Sequence, residues 1–207
     1  MQAHDVMTSP VRTVTPETTV KDAASLLASH GFTALPVLDD TERLIGIVTE
    51  ADLIRGRFPR DPRYHHGDAA MPAAAPATVG EVMTTPAIGM GAGADVVDLA
   101  SVMLTDGVRS LPIVDGSTVI GIVTRRDLLR TLARDDRTIS ADIRHQLAMY
   151  GAAGRWSVRV DDGVVAIGDE FDNETDRHVA TVLAEAVPGV TAVHVVSETT
   201  GNDHLPG

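Results

Sequence analysis

Apolar and polar positions recur along this chain with two distinct periods, and the places where the period changes mark its elements. From Thr18 to His30 the apolar residues Val20, Ala23, Ala24 and Leu27 follow the spacing of one helical face, and Gly31 stands where a helix ends. The pattern returns from Asp95 to Thr105, with Val96, Leu99, Ala100 and Met103 inward and Gly107 as the stop. Two short apolar runs follow each helix, LPVL and LIGIV in one case, LPIV and VIGIV in the other. They predict paired strands around a polar turn, and each second run ends in a threonine that opens another helix. Further along, Ser140–Tyr150 predicts a short helix burying Ile143 and Leu147. WSVRV-DDG-VVAIGDEF predicts a hairpin turned by Asp162–Gly163, with Trp156 as a core residue. Asn173–Val187 predicts a helix burying Val179, Val182, Leu183 and Ala186, and TAVHVVSE a last strand.

The first two of these patterns belong to an internal repeat. DVMTSP returns as EVMTTP with an offset of 76 between Met7 and Met83, and ALPVLDDTERLIGIVTEADLIR returns as SLPIVDGSTVIGIVTRRDLLR. Pro36 and Pro112 keep the offset, whereas Asp52 and Asp127 fall one short of it because the polar turn has lost a residue. One copy of about 50 residues exposes too much apolar surface to stand alone, so the two are expected to pack together with pseudo-two-fold symmetry. Gly56–Gly80, rich in Pro, Ala and Gly, reads as a long linker. The expected fold class is α/β (α+β). The expected organisation is a first copy over residues 1–58, a linker over 59–79, a second copy over 80–133, and a small αββαβ unit over 134–207 whose polar tail frays.

Composition narrows the function classes. With 43 % hydrophobic and 22 % charged residues the chain can bury a core, while its net charge of -12 argues against nucleic acid and anionic lipid as partners. The absence of cysteine removes disulfides, thiolate catalysis and iron–sulfur ligation. The N-terminal MQAHDVMTSP has no basic n-region or apolar h-region, and no segment approaches the roughly 20 apolar residues of a membrane span, so a cytoplasmic location is expected. Lys21 is the only lysine, which leaves arginine or a helix N-terminus to meet a ligand phosphate.

The repeated motif that carries chemistry is G-I-V-T-x-x-D, Gly46–Asp52 as GIVTEAD and Gly121–Asp127 as GIVTRRD. Two readings stand side by side. Thr-x-x-Asp before an apolar run is a capping box, the threonine capping its helix and the acid returning the bond. A hydroxyl and a carboxylate at a strand-to-helix junction can also grip the vicinal hydroxyls of a ribose, the helix N-terminus favouring phosphate. Arg109, Arg125 and Arg126 flank the second copy, whereas His30 and Glu50 flank the first, so the two sites are expected to differ and the phosphate to prefer the one those arginines reach. After the opening motif the copies diverge further, TVTPETTV against GMGAGADV. His65, His66 and Asp68 do not make a metal constellation, and no Ser-His-Asp order, catalytic carboxylate pair or Gly-rich phosphate loop is present, so neither a metal site nor a catalytic residue is expected.

Taken jointly and twice over, the VMT-x-P opening, the [A/S]-L-P-[V/I] strand and the GIVT-x-x-D-L ending resemble CBS domains across residues 3 to 132. The resemblance implies a CBS pair, or Bateman module, that binds AMP, ADP, ATP or S-adenosylmethionine as a regulatory ligand in two clefts and requires no cofactor. It implies ribose contacts from Thr49 and Asp52 in one cleft and from Thr124 and Asp127 in the other. It implies further that Thr8, Val11, Thr84 and Ile88 border the adenine, that Ala34, Leu35, Ser110 and Leu111 line the base pocket, and that the pair forms a homodimer. The DGVV hairpin, Gly168 and the VPGV before the last strand are similar to BON domains, which implies a phospholipid or protein partner. Six arginines against thirteen acids from Arg134 onward favour a protein over an anionic membrane. The expectation is a nucleotide sensor whose ligand state alters what the BON-like unit presents. The alternatives are a ligand-independent structural protein and a membrane-associated binder acting through that unit.

Overall fold

Of the 207 residues, the computed structural model describes 1–58, 76–151, 154–171 and 173–197. Linker residues 59–75, which include His65, His66 and Asp68, and the tail lie outside the described residues. The elements run α1 Ala3–Val6, α2 Val20–His30, β1 Ala34–Leu38, β2 Leu44–Thr49, α3 Glu50–Ile54, β3 Met90–Gly91, α4 Val96–Thr105, β4 Ser110–Asp115, β5 Thr118–Thr124, α5 Arg125–Leu132, α6 Asp136–Tyr150, β6 Trp156–Asp161, β7 Val164–Asp169, α7 Glu174–Glu185 and β8 Ala192–Ser197. They fall into two compact units, Met7–Thr124, and Met1–Val6 together with the chain from Arg125 on. In the second unit α1 packs against α5.

In the first unit both copies show the helix and hairpin that the periodicity predicts. Thr19 caps α2 by accepting from the Asp22 amide, and Asp95 caps α4 by accepting from the Val97 amide. Strands β1 and β2 pair antiparallel with Ala34 opposite Thr49, and β4 and β5 with Ser110 opposite Thr124. The core of the first copy gathers Val14, Val20, Ala23, Leu27, Leu35, Val37, Val48 and Leu53. Ala24, expected on the inner face, is exposed, and Leu26 packs partly against the core in its place. Val79, expected at the end of the linker, is fully buried in this core, and its amide donates to the Thr18 carbonyl at 2.8 Å. The Pro- and Ala-rich stretch before it masks a single anchoring residue of this kind.

The opening segments are exchanged between the copies. Thr8 pairs antiparallel with Ile122 on β5, and Thr84 with Ile47 on β2, each through two backbone hydrogen bonds of 2.9–3.1 Å. The side chains repeat the exchange, Ser9 Oγ donating to Ile120 O and Thr85 Oγ1 to Ile45 O, both at 2.8 Å. Glycine in mid-strand makes room for it. A Cβ at Gly121 would stand 2.5 Å from Met7 Sδ and 3.2 Å from Thr8 O, and one at Gly46 2.8 Å from Met83 Sδ and 3.0 Å from Thr84 O. Each segment then crosses to its own hairpin, where Val14 pairs in parallel with Val37 and Met90 with Ile113.

The second unit carries a sheet of order β6-β7-β8, the first pair antiparallel and the second parallel, with α7 as the crossover. Its core joins Ile139, Ile143 and Leu147 of α6, Ala180 and Ala184 of α7, Val187, and Val158, Val165 and Ile167 of the sheet. α6 starts at Asp136, ahead of the expected Ser140, because Asp135 accepts from the amides of Arg137 and Thr138 and so brings Ile139 into the core. α7 turns two alanines to the core, while Val182, at 50 % exposure, and Ala186 face outward. Small residues allow the close approach, which a reading weighted by side-chain size does not find.

The expected turn is present, with Asp162 and Gly163 at φ 49° and 75° between Asp161 and Val164. Asp136 grips it from below, its carboxylate accepting from the Asp162 amide at 2.9 Å and the Gly163 amide at 3.1 Å. Asp136→Ala leaves both amides without that acceptor and should lower the stability of this unit by about 1–3 kcal/mol. Trp156, the only tryptophan, lies in β6, so urea unfolding followed by its fluorescence reads the change in this unit.

Candidate functional site

The first copy of the repeated motif turns from β2 into α3 at Thr49, whose extended backbone, φ -115° and ψ 166°, leaves its side chain beside the first helical turn. The Asp52 amide donates to Thr49 Oγ1 at 3.4 Å, and Asp52 Oδ2 accepts from the Thr49 amide at 3.0 Å and its hydroxyl at 2.7 Å. The capping box is therefore complete. It uses one carboxylate oxygen, while the other, Oδ1, faces the exposed Arg55 at 3.7 Å. α3 has five residues and carries the acids Glu50 and Asp52 in its first turn.

The start of β1 lies against this junction and against the other copy. The Thr33 carbonyl accepts from the Glu50 amide at 3.2 Å, and Thr33 Oγ1 stands 3.3 Å from Ser110 Oγ, which is buried at the start of β4. In the second copy Thr124 ends β5 opposite Ser110. The motif then passes into the second unit, where Arg125 is half-buried, Asp127 is buried in the first turn of α5, and Asp127 Oδ1 meets Arg130 Nη1 at 3.2 Å.

The duplicated junction has a counterpart in known proteins. The profile of the CBS domain matches residues 3–58 and again 79–134, more than half of the chain. The chain belongs to the CBS domain family. The CBS domain-containing protein YhcV of Bacillus subtilis (strain 168) is 31 % identical over 149 residues, which cover 69 % of this chain and 94 % of that one. Among solved structures, the CBS domain pair of protein MJ0100 in complex with 5′-methylthioadenosine and S-adenosyl-L-methionine aligns with a TM-score of 0.52 at 25 % identity, over 63 % of this chain and 94 % of that one. CBSX2 in complex with AMP aligns with a TM-score of 0.50 at 29 % identity, over 62 % and 94 %.

Within this CBS pair the residues singled out from the sequence fall into three groups. Ala34 with Thr49 and Ser110 with Thr124 stand opposite one another at the paired strand ends. Thr8 and Thr84 are exposed and backbone-paired to the opposite copy, with Val11 half-buried beyond one and Ile88 exposed beyond the other. The offset of 76 makes Val11 equivalent to Ala87, and Ile88 to Arg12, so Val11 and Ile88 are not counterparts. Leu35 and Leu111 have buried side chains, at 1 % and 0 % exposure. Strands β1 and β4 are buried on both faces over their first four residues, which closes off the outward half of the strand alternation there. Arg109 is exposed and precedes Ser110.

A cluster in the second unit has no signal in the spacing of its residues. Arg155 Nε and Nη2 donate to Asp169 Oδ1 and Oδ2 at 2.8 and 3.0 Å, and Nη2 also to Asp176 Oδ2 at 2.6 Å. Tyr150 Oη donates to Asp176 Oδ1 at 2.9 Å, and the guanidinium carbon lies 4.5 Å from the Trp156 ring centroid and 5.2 Å from that of Phe171. The Arg155 hydrogen bonds hold the Asp169 and Asp176 carboxyls below the usual range, and the Asp176 carboxylate raises the Tyr150 phenol. Tyr150 of α6, Trp156 of β6, Asp169 of β7 and Asp176 of α7 meet around Arg155, so the cluster ties those elements together. Among the described residues no helix is long and apolar enough to cross a membrane, and no group of three or more acids and histidines could hold a metal ion.

Because the folded-state values of Asp169 and Asp176 are depressed, their stabilisation is fully present above the unfolded-state value near pH 4 and is lost as pH falls through the folded value. Arg155→Gln should therefore lower Tm at pH 7, with the gap to the unmodified protein narrowing below about pH 4. Calorimetric melting across a pH series measures it.

Proposed function

We propose that this CBS pair is a non-catalytic regulatory module that binds an adenosine-containing ligand, AMP, ADP, ATP or S-adenosylmethionine, at its two Thr-x-x-Asp junctions. The observation that carries the reading is that relatives at 25 % and 29 % identity hold methylthioadenosine with S-adenosylmethionine, and AMP. The geometry of the first junction supports it, since Asp52 keeps Oδ1 outside the capping box, available to a diol. Thr49 and Asp52 then contact ribose in the first copy, and Thr124 and Asp127 in the second. The backbone at Ala34, Leu35, Ser110 and Leu111 borders the base, with Thr8, Val11, Thr84 and Ile88 beside it and Arg109 and Arg125 toward phosphate. The αββαβ order of the second unit, with its Asp162–Gly163 hairpin, supports a BON-like domain through which the ligand state reaches a protein partner in the cytoplasm.

A second reading has its own observation. The complete capping box at Thr49 and Asp52 supports a structural role that needs no ligand. Thr49→Ala costs about 1 kcal/mol of stability under either reading. Titration calorimetry with AMP, ATP and S-adenosylmethionine separates them. The sensor reading expects binding that Asp52→Asn and Asp127→Asn each weaken by about ten- to a hundredfold at their own site. A flat titration with all three compounds would leave a scaffold.

The proposed homodimer has support in α4, where Val97 and Leu104 are 69 % and 73 % exposed on one stripe. Their counterparts in α2 are Lys21 and Ala28. Val97→Asp combined with Leu104→Asp should convert a dimer to a monomer, as read by light scattering after size exclusion. An unmodified protein that is already monomeric would end the dimer proposal.

A further inference from the structure

We propose that the outward face of the β6-β7-β8 sheet docks an extended segment of a partner protein, one that carries a carboxylate between two apolar side chains. This rests on the reading that the αββαβ unit meets a protein partner, and it needs no nucleotide. Strand alternation separates the two faces of the sheet. Val158, Val165 and Ile167 belong to the core, and the residues that alternate with them point the other way. Arg159, Ala166 and His194 stand opposite one another in the middle row of that outward face. Val164 lies in the row on one side and Val196 in the row on the other, and all five residues are exposed.

The middle row is where shape and charge select a ligand. Neighbouring strands are about 4.8 Å apart, so Arg159 and His194 flank the low floor of Ala166 at a separation of roughly 10 Å. A carboxylate centred above Ala166 is within reach of both, the guanidinium and the imidazole N–H each donating to it. Neither side chain makes a hydrogen bond or ion pair among the described residues. Other arginines of this unit are committed: Arg134 to Asp142 and the Pro188 carbonyl, Arg144 to the Val158 carbonyl, Arg155 to Asp169 and Asp176. From Arg134 onward thirteen acids stand against six arginines, so a bare basic pair departs from the surface around it and complements an acidic partner. Rows on one face recur about every 6.7 Å along a strand, which is also the spacing of same-side residues in an extended segment. A segment laid along the strands with its acid above Ala166 therefore places the side chains two positions before and after that acid over Val164 and Val196. Asp161, exposed and opposite Val164, repels a second acid in that row and so helps to fix the register.

The test titrates the isotope-labelled full chain with the peptide Ser-Val-Ser-Glu-Ser-Val-Ser and follows the backbone amides by NMR. Binding should move the amides of Arg159, Ala166 and His194 most. Exchanging the peptide's glutamate for glutamine, or combining Arg159→Gln with His194→Gln in the chain, should each weaken binding by about five- to tenfold. The double variant should keep the parent Tm, since its two side chains hold nothing else in place. Ala166→Glu, which puts a carboxylate from the chain itself between the two bases, should block the peptide as well, so the outcome does not hang on one variant. Equal affinity for the two peptides, a double variant that binds as well as the parent, shifts centred on another face, or no shifts at millimolar peptide overturns this docking surface. Each of those results leaves a protein partner to another part of the unit. If the double variant instead abolishes self-association in sedimentation, or binding to phosphatidylglycerol vesicles, the occupant is a second copy or a lipid surface and the proposal is likewise overturned. A chain that binds no adenosine compound leaves this surface untouched, so the two readings fail separately.

Discussion

The reciprocal pairing of opening segments is the constraint on which the first unit depends. Thr8 completes the edge of β5 and Thr84 that of β2, so each hairpin is finished by the other copy's chain. Neither copy can close its sheet edge alone, and an unpaired edge would leave a row of backbone donors and acceptors open to other chains. The two glycines that admit the segments, Gly46 and Gly121, stand within the motif that ends in Thr-x-x-Asp. Fold and candidate site are therefore written into the same seven residues: the glycine sets how closely the opposite copy approaches, and the threonine and acid three and six residues later sit where that approach ends.

The capping box and a ligand contact at Asp52 are compatible because a carboxylate has two oxygens. Oδ2 is spent on the Thr49 amide and hydroxyl, which fixes the side-chain rotamer and therefore the direction of Oδ1. An acid held in this way loses little further conformational freedom when a diol arrives, and that lowers the entropic cost of binding. The bond that looks like a purely structural explanation of the motif is also the bond that would preorganise it.

Much of the architecture was legible in the sequence, and the gaps have physical causes. Helix α2, helix α4, both first-unit hairpins and the Asp162–Gly163 turn follow from apolar period and turn chemistry, which are local. Val79 escaped because one buried residue at the end of an Ala- and Pro-rich stretch has no period. The inner face of α7 was misjudged because Ala180 and Ala184, rather than larger neighbours, make the closest approach to the sheet. The crossing of opening segments is a contact between residues more than a hundred positions apart for Thr8 and Ile122, and only a glycine inside a strand pattern hints at it. The Arg155 cluster left no trace, since its acids come from separate elements that meet only after folding. For the candidate site, the junction residues were legible through duplication, but burial of Leu35 and Leu111 required knowing that β1 and β4 are covered on both faces.

Duplication also explains how one scaffold can hold two unlike sites. Pseudo-symmetry conserves what packing needs, so the glycine, the strand proline and the capping pair recur in both copies. It does not constrain positions outside the core, where Arg109 stands for Thr33, Arg125 for Glu50 and Ile88 for Arg12. A charge at the meeting point of the copies acts on its neighbours without regard to which copy encodes it, since electrostatic attraction depends on distance and screening rather than on chain order. Divergence of a few residues outside the core can thus make the two junctions electrostatically unlike while the buried contacts of the pair stay in place.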